Sequence, residues 1–475
     1  MIGYYTAAQI RAAEEATGEL LTGGLLMARA ATAVAGTVLT AVRRRTGGVY
    51  GRTVLLVVGA GNNGGDALYA GAILAKRGVR VHAILLDPDR AHIEGLRALR
   101  QAGGRVTDRV PERVDVAVDA VVGLGGRGPL RPVAAQVFAD LADRGTTVIA
   151  VDLPSGVDPD TGTVHHPSVR ADVSVTFGAP RIAHLVAAPA CGDVVVADIG
   201  LDLPPAALTC PTDAEVARAW PIPGPHDDKY TQGVVGIVAG SAHYPGAAVL
   251  ATSAAVAATS GMTRYVGPAT DQVLAVCPEV VAAPTIGTAG RVQAWAVGPG
   301  FGTGEQAHAI LADVLAANLP TLIDADGITV LAQHPELLAG RTAPTLLTPH
   351  AGEFARLAGQ APDPDRLSAV RELAARLDVT VLLKGRITLV ADPDGQVSGT
   401  DAASSWAATA GAGDILTGIA GALLAAGLPA RLAGVSAARV HARAARLASG
   451  GAPIGASVLR DAVAPALREL LDLRE

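Results

Sequence analysis

Apolar residues in this chain fall into short unbroken runs, and stretches of helical spacing separate them. Residues 54–58, 79–86, 114–120 and Thr147–Val151 are such runs in the first half. Runs of this length with no polar alternation suit strands buried on both faces. The intervening helical stretches predict βα units and a mostly parallel sheet. Val173–Phe177 and 194–198 predict two shorter strands. Ahead of the first run, Thr6 and Gln9 form a capping box for a helix through Ile10 and Glu15. A second helix is expected over roughly residues 24–45.

The pattern breaks near residue 203. Leu203-Pro204-Pro205 and the stretch 211–225 are rich in proline and lack periodicity. A boundary near residue 214 divides the chain into domains 1–214 and 215–475. The second half restarts with a strand at 233–239 and a helix at 247–260. Further strands are expected at Ala294–Val297, Thr321–Ile323, Thr345–Leu347, 379–383 and 388–391, with helices between them. The fold class is α/β in both halves, which are not copies of each other.

At 475 residues, half of them hydrophobic, the chain can bury two large cores. A net charge of -6, with no basic cluster longer than Arg43-Arg44-Arg45, argues against nucleic acid as a partner. Cys191, Cys210 and Cys277 lack metal or redox spacing and read as thiols of a reducing cytoplasm. No secretory leader is expected, and the Ala-rich stretch 30–42 reads as too short to span a bilayer. Lysine occurs only at Lys76, Lys229 and Lys384, against 35 arginines (38 basic residues minus 3). A lysine kept in so Arg-biased a chain draws attention, because it is a compact point charge that arginine cannot mimic.

Gly59-Ala60-Gly61-Asn62-Asn63-Gly64 follows a strand and opens a helix, and it satisfies the dinucleotide pattern G-x-G-x-x-G. Asp87, at the end of the next strand, stands where a ribose-binding acid would be. A dehydrogenase is therefore a rival reading. Against it, Asn62, Asn63 and Asp66 crowd the place where a pyrophosphate needs bare backbone, and a carboxylate there repels phosphate. Asn-Asn-Gly-Gly-Asp offers amide groups and a carboxylate, which suit a monovalent cation and a polar ligand. The same residue types also cap helices and form turns. Two more polar loops follow strand ends, Asp119 through Gly128 and Asp152-Leu153-Pro154-Ser155-Gly156. Ligands of parallel α/β sheets bind at such carboxyl ends.

These three loops resemble the YjeF-type N-terminal domain, the NAD(P)H-hydrate epimerase. The resemblance implies a Rossmann-like parallel sheet. It implies that Asn62, Asn63, Gly64, Gly65 and Asp66 bind the hydrated nucleotide (NADHX or NADPHX), together with Gly123, Leu124, Gly125, Gly126, Arg127, Gly128, Pro129 and Asp152. It places K+ at Asn63, Asp119 and Ser155, and makes Asp152 the candidate acid–base group at C6. Two positions depart from the family pattern: Ala67 where glycine is common, and Leu124 where threonine is common. The second removes a possible hydroxyl contact.

Near the end of the chain, Gly411-Ala412-Gly413-Asp414 precedes the apolar stretch Ile415-Leu416-Thr417-Gly418. A glycine turn opening a helix frees backbone N–H groups toward an anion, and the helix dipole favours negative charge there. Asp414 can take a proton from an attacking hydroxyl. Upstream stand His226-Asp227-Asp228-Lys229-Tyr230, Ala239-Gly240-Ser241, Gly298-Pro299-Gly300-Phe301-Gly302, Asp324-Ala325-Asp326-Gly327, Thr348-Pro349-His350-Ala351-Gly352-Glu353 and Leu383-Lys384-Gly385. In this order they resemble the ADP/ATP-dependent NAD(P)H-hydrate dehydratases of the ribokinase-like superfamily.

That resemblance implies substrate contacts at Ala248, Gly302, His350 and Asp414. It implies nucleotide contacts at Lys384, Gly385, Arg386, Ile387, Thr388 and Gly413, and Mg2+ held with help from Asp326 and Glu353. Asp414 is the expected base. Bacterial members point to ADP as donor, although no residue here excludes ATP. The joint expectation is a bifunctional cytoplasmic repair enzyme that self-associates and needs neither membrane nor nucleic acid. The alternatives are a vitamin-type small-molecule kinase fused to a second domain, and a first half that serves only as a nucleotide sensor or oligomerisation module.

Overall fold

The unbroken apolar runs of the first half form interior strands, as their lack of polar alternation requires. The computed structural model describes residues 1–474. It divides between Leu208 and Thr209, ahead of the residue 214 chosen from composition, and Met1–Ile2 group with the second unit.

In the first unit seven strands form a sheet in the order Arg105–Val106, Arg80–Leu85, Thr53–Val58, Val116–Ala120, Thr147–Val151, Val173–Phe177, Asp193–Ala197. Every neighbouring pair is parallel. From Thr53–Val58 the chain builds outward to one side, then returns to lay Val116–Ala120 on the other. The strand order therefore reverses between these two strands, and the loops leaving their carboxyl ends open a crevice. Thr6 and Gln9 cap the helix Ala7–Ala16 by the expected box.

The helix Leu25–Thr46 is longer than the apolar stretch 30–42 suggested. Its 22 residues include an 18-residue window of mean hydropathy 1.6, long and apolar enough to cross a membrane by length and composition. Its own core takes up the apolar stripe, however. Leu26, Ala30, Val34, Val38 and Val42 recur every four residues and pack with Val54, Leu56 and Val118 of the sheet. Burying each valine contributes roughly 1.5–3 kcal/mol.

In the second unit the strands after residue 230 lie in the order Val281–Ala283, Met262–Val266, Val234–Val238, Ala294–Val297, Thr321–Ile323, Thr345–Leu347, Thr380–Leu383, Ile387–Ala391, Val397–Asp401. Pairing is parallel as far as Thr380–Leu383, and the last two strands are added antiparallel. Met262–Val266, Val281–Ala283 and Val397–Asp401 were not expected. Their Thr263, Arg264, Ser398 and Thr400 interrupt the apolar pattern, and only neighbours in the sheet make them strands. The proline-rich region is also more ordered than its composition suggests. Thr212 and Glu215 form a capping box for the helix Asp213–Ala219, and Val216, Ala217 and Trp220 are buried. Helices Pro245–Ala258 and Ala412–Ala425 share one core through Ala251, Ala254, Ile415 and Ile419.

Candidate active sites

In the first unit, Asn62-Asn63-Gly64-Gly65-Asp66 is the first turn of the helix Asn62–Lys76, not a loop. Packing explains its two glycines. A Cβ on Gly64 would lie 2.4 Å from the Gly59 carbonyl oxygen, and one on Gly65 2.9 Å from the His92 ring. Both are buried, so neither offers the open backbone face that ligand binding needs. Gly64→Ala is expected to destabilise the unit by roughly 1–3 kcal/mol, because the contact is backbone and cannot swing away. A denaturant-unfolding midpoint unchanged from wild type would contradict this.

A cavity of about 1760 Å³ lies over the crevice. Asn62, Asn63, Asp66, the whole Gly123–Pro129 loop, Asp152 and Arg181 line it. Asp119 lies beneath, fully buried. Its carboxylate accepts from Ser155 Oγ and Ser155 N–H, both at 2.7 Å, and from Val121 N–H at 3.2 Å. Burial pushes the Asp119 carboxyl up to about 6, against the lowering effect of these bonds. No cationic side chain pairs with it among the described residues. The Asn63 amide NH2 is buried without a partner, and its Oδ1 faces Gly123, where an added Cβ would lie 2.9 Å away.

Asp152 occupies a left-handed backbone conformation at φ 66°, rare for a residue with a side chain and characteristic of functional strand ends. Its Oδ1 accepts from Thr176 Oγ1 at 2.9 Å and pairs with Arg181 Nη2 at 3.0 Å. Its carbonyl accepts from His184 Nε2 at 2.8 Å. Burial lowers His184 to about 4, so its ring is neutral. Arg181 is 1% exposed, and its role was missed from sequence. The available signal was one arginine inside the apolar segment Ala179-Pro180-Arg181-Ile182-Ala183.

In the second unit, Gly411 takes φ 84° and leads into the helix Ala412–Ala425. Gly413 and Asp414 stand in its first turn, where N–H groups have no intrahelical acceptor. Asp414 is partly buried. Desolvation first, then the charges of Asp324 and Asp326, push its carboxyl up to about 7, while Lys384 opposes them. Lys384 Nζ lies 2.6 Å from Asp324 Oδ1 and 3.7 Å from Glu353 Oε2. Burial disfavours the ammonium, but Asp324, Glu353 and Asp414 outweigh it and hold it above the usual lysine range. A Cβ on Gly413 would sit 3.5 Å from Lys384 Nζ. The retained lysine is thus directly beneath the glycine turn.

Asp324 is the residue that sequence reasoning passed over. It is 1% exposed and also accepts from Thr417 Oγ1 at 2.6 Å. Asp324 follows the strand Thr321–Ile323, while Thr417 lies one helical turn beyond Asp414. The motif containing Asp324 was visible, but its partners come from 60 and 93 residues away. Ala325, the next residue, takes φ 50°. Gly298, at φ 127°, is pressed against this turn: an added Cβ would lie 1.9 Å from the Asp324 carbonyl oxygen. Gly298→Ala is therefore expected to displace Asp324 and to lower the melting temperature and activity together. A full-activity variant with unchanged melting would contradict that. His441 Nε2 donates to the Ala412 carbonyl at 2.8 Å, and burial lowers its pKa to about 4. This holds the turn from below.

The other expected residues are arranged less simply. His350 caps the helix Ala351–Ala358, its Nδ1 accepting from Gly352 and Glu353 N–H groups, with the ring exposed. Glu353 is buried; its Oε2 accepts from His350 N–H at 2.8 Å and lies 3.7 Å from Lys384, and its Oε1 lies 3.3 Å from the His350 ring. Asp326 holds Gly302 N–H through Oδ2 at 2.9 Å and keeps its other oxygen. Ala248 has no exposed surface and lies under Gly240, so it supports the site from beneath instead of forming its wall. Residues 384–386 make the turn between two antiparallel strands, and Ile387 and Thr388 begin the second of them. Arg386 pairs there with Asp401, Ile387 is buried, and Thr388 Oγ1 donates to Gly385. Arg366 donates to the carbonyls of Lys384 and Ile387 and so fixes the turn.

A parallel α/β unit with a glycine turn, a buried lysine and a poised aspartate has the form of a ribokinase-like phosphoryl-transfer fold. The unit before it is Rossmann-like, with its crevice at the strand-order reversal. Residues 235–462 match the family described as NAD(P)H-hydrate dehydratase, and residues 23–183 the family described as YjeF-related protein N-terminus. The bifunctional NAD(P)H-hydrate repair enzyme of Mycobacterium leprae is 53% identical over 98% of this chain and 99% of its own. That of Mycobacterium tuberculosis is 55% identical over 90% of each. The ADP/ATP-dependent NAD(P)H-hydrate dehydratase of Bacillus subtilis, solved from crystals grown with ATP and Mg2+, aligns at TM-score 0.50 and 26% identity over 55% of this chain and 98% of its own. A ribokinase-like protein of Enterococcus faecalis aligns at TM-score 0.51 and 23% identity over 57% of this chain and 98% of its own. The chain belongs to the family of bifunctional NAD(P)H-hydrate repair enzymes.

Proposed function

We propose that this chain restores NAD(P)H from its hydrates. The first unit interconverts the R- and S-epimers at C6, and the second dehydrates the S-epimer with ADP as phosphoryl donor, releasing AMP and phosphate. The observation that carries the second activity is Asp414, held at about 7 at the mouth of a helix, above Lys384 on the buried Asp324. A carboxylate titrating there is matched to general-base work near neutral pH.

The chemistry follows from the substrate. Hydration of the nicotinamide ring leaves a hydroxyl at C6, and hydroxide is a poor leaving group. Asp414 takes the hydroxyl proton, and the oxygen attacks the terminal phosphate of the nucleotide. The N–H groups of the 411–414 turn and the Lys384 ammonium stabilise the charge on the moving phosphoryl group. Phosphate then departs as the ring nitrogen lone pair pushes in, and the double bond returns.

In the first unit, Asn63, Asp119 and Ser155 fit K+, since they offer oxygen donors around a buried carboxylate with no cationic partner among the described residues. A bound K+ would supply the missing positive charge. In the second unit Asp326 has an oxygen to spare for Mg2+, which would neutralise phosphate charge. Three free, buried cysteines suit a reducing cytoplasm.

The direct test follows the recovery of reduced-nicotinamide absorbance from mixed NADPH hydrates, with ADP or ATP and magnesium. Full recovery with one phosphate per substrate is expected. A stable phosphorylated product would instead support the small-molecule kinase reading. The pH dependence has a definite sign. Asp414 must be ionised to act, so kcat for dehydration should rise with pH and level off above about 7. A rate that is flat from acid through neutral pH would remove Asp414 as the base.

A further inference from the structure

Five carboxylates line the cavity of the first unit; Glu15 is exposed and Asp87 pairs with Arg90, which leaves Glu14, Asp66 and Asp152. They differ in what holds them. Asp152 is committed to Arg181 and Thr176, both on Oδ1, which leaves Oδ2 without a partner among the described residues. Asp66 rises from the helix Asn62–Lys76, is 8% exposed, and has no hydrogen-bond or ion-pair partner among the described residues. Among the described arginines that line the cavity only Arg181 is buried, and it is already matched by Asp152, while the exposed Arg11 donates to the Leu124 carbonyl. Three carboxylates around one buried cation cannot all stay ionised at low cost. The proton belongs on the member with no donor to stabilise its charge. Burial, then Asp152, then Glu14 all act on Asp66 in the same direction and hold it well above the usual carboxylate range. Glu14 is also raised by burial, but Arg181 and Arg11 oppose the rise. One cavity therefore sets a carboxylate paired with a guanidinium against a second with no donor of its own, the arrangement that separates a base from an acid.

We propose that Asp66 and Asp152 are an acid–base pair that epimerises the hydrate by opening and reclosing its ring. The inference rests on the epimerase reading above. In the hydrate, C6 carries both the hydroxyl and the ring nitrogen N1. Asp152 removes the hydroxyl proton, the C6–O bond becomes a carbonyl, and the N1–C6 bond breaks. Its electron pair stays on N1, which takes the proton of Asp66. Rotation about C5–C6 turns the other carbonyl face to N1. Closure reverses each transfer: N1 attacks C6, Asp66 regains the nitrogen proton, and Asp152 returns its proton to oxygen. Nothing is oxidised or consumed, and the two carboxyl groups end as they began.

The test uses the whole chain with R-hydrate, ADP and magnesium, and subtracts spontaneous epimerisation. Asp66→Asn should lower R-hydrate turnover about a hundredfold or more, with S-hydrate dehydration by the same preparation unchanged. Asp66→Glu, which restores the carboxyl, should recover part of the rate. The wild-type rate should fall as pH rises through the titration of Asp66. Glu14→Gln should remain active with that falling limb moved to lower pH, because a neighbouring negative charge is gone. In isotopically labelled water the new epimer should keep its original oxygen. Wild-type R-turnover in Asp66→Asn, an unmoved limb in Glu14→Gln, or solvent oxygen incorporated at each turnover would each overturn the pair. The Glu14→Gln arm decides the matter even if Asp66→Asn fails to fold. If the wild-type chain itself does not accelerate epimerisation, the epimerase reading falls, and the pair with it.

Discussion

Asp414→Asn is expected to cut ADP-driven dehydration of the S-hydrate about a thousandfold while nucleotide binding persists. Asparagine keeps the shape of the helix mouth and its donors but cannot accept the hydroxyl proton. The Lys384–Asp324–Thr417 network does not depend on Asp414, so it should remain to receive phosphate. Initial rates and nucleotide binding isotherms on the same preparation separate the two effects. Retained turnover would exclude Asp414 as the base, and lost binding would make it a structural residue. Stability supplies a second readout. Asp414 has a folded-state pKa above its unfolded value, so its contribution is most favourable at acid pH and is lost as pH rises through about 7. Above that point the ionised carboxylate strains the fold, so the asparagine variant should melt no earlier than wild type there. The site holds a group that suits catalysis better than stability.

Arg181→Met is expected to destabilise the first unit by about 3–5 kcal/mol and to abolish epimerisation. Methionine fills much of the same space, but it leaves the buried Asp152 carboxylate without its cation and with only Thr176 to support it. Arg181 also donates from Nη1 to the Ala179 carbonyl at 2.7 Å. The loss therefore reaches the backbone at Ala179, the carbonyl that Thr176 Oγ1 also approaches. S-hydrate dehydration should survive, since Asp414 and Lys384 belong to the other unit. Denaturant unfolding together with turnover of each epimer tests this. A variant that unfolds like wild type would show that the pair contributes little, and one that still epimerises would show that Asp152 needs no buried cation.

Much of this was legible in the chain. Thr6 with Gln9 and the apolar runs act locally, through hydrogen bonds and side-chain periodicity within a few residues, and they appear where expected. The glycine turn at 411–414 was legible for the same reason. Arg181 and Asp324 were not, because what distinguishes them is the partner. Lys384 reaches Asp324 across 60 residues and Thr417 reaches it across 93. Glu353 was read as helping to hold Mg2+ through water; that it also caps the helix at His350 and neighbours Lys384 is visible only in the fold. Gly64 and Gly65 were read as ligand-facing but are required by contacts with Gly59 and His92.

The sequence by itself determined two mostly parallel α/β units, the three polar strand ends of the first and the glycine turn of the second. Periodicity, capping and turn chemistry depend on neighbours along the chain, so they survive without coordinates. Only the tertiary structure decided which charges face one another. Burial and long-range pairing set Asp414 near neutrality, put Lys384 under the turn, and left Asp66 without a partner among the described residues in the cavity that the ion-paired Asp152 also lines. The protonation of a carboxylate depends on the dielectric and charges around it, and in this chain those come from residues far apart in sequence.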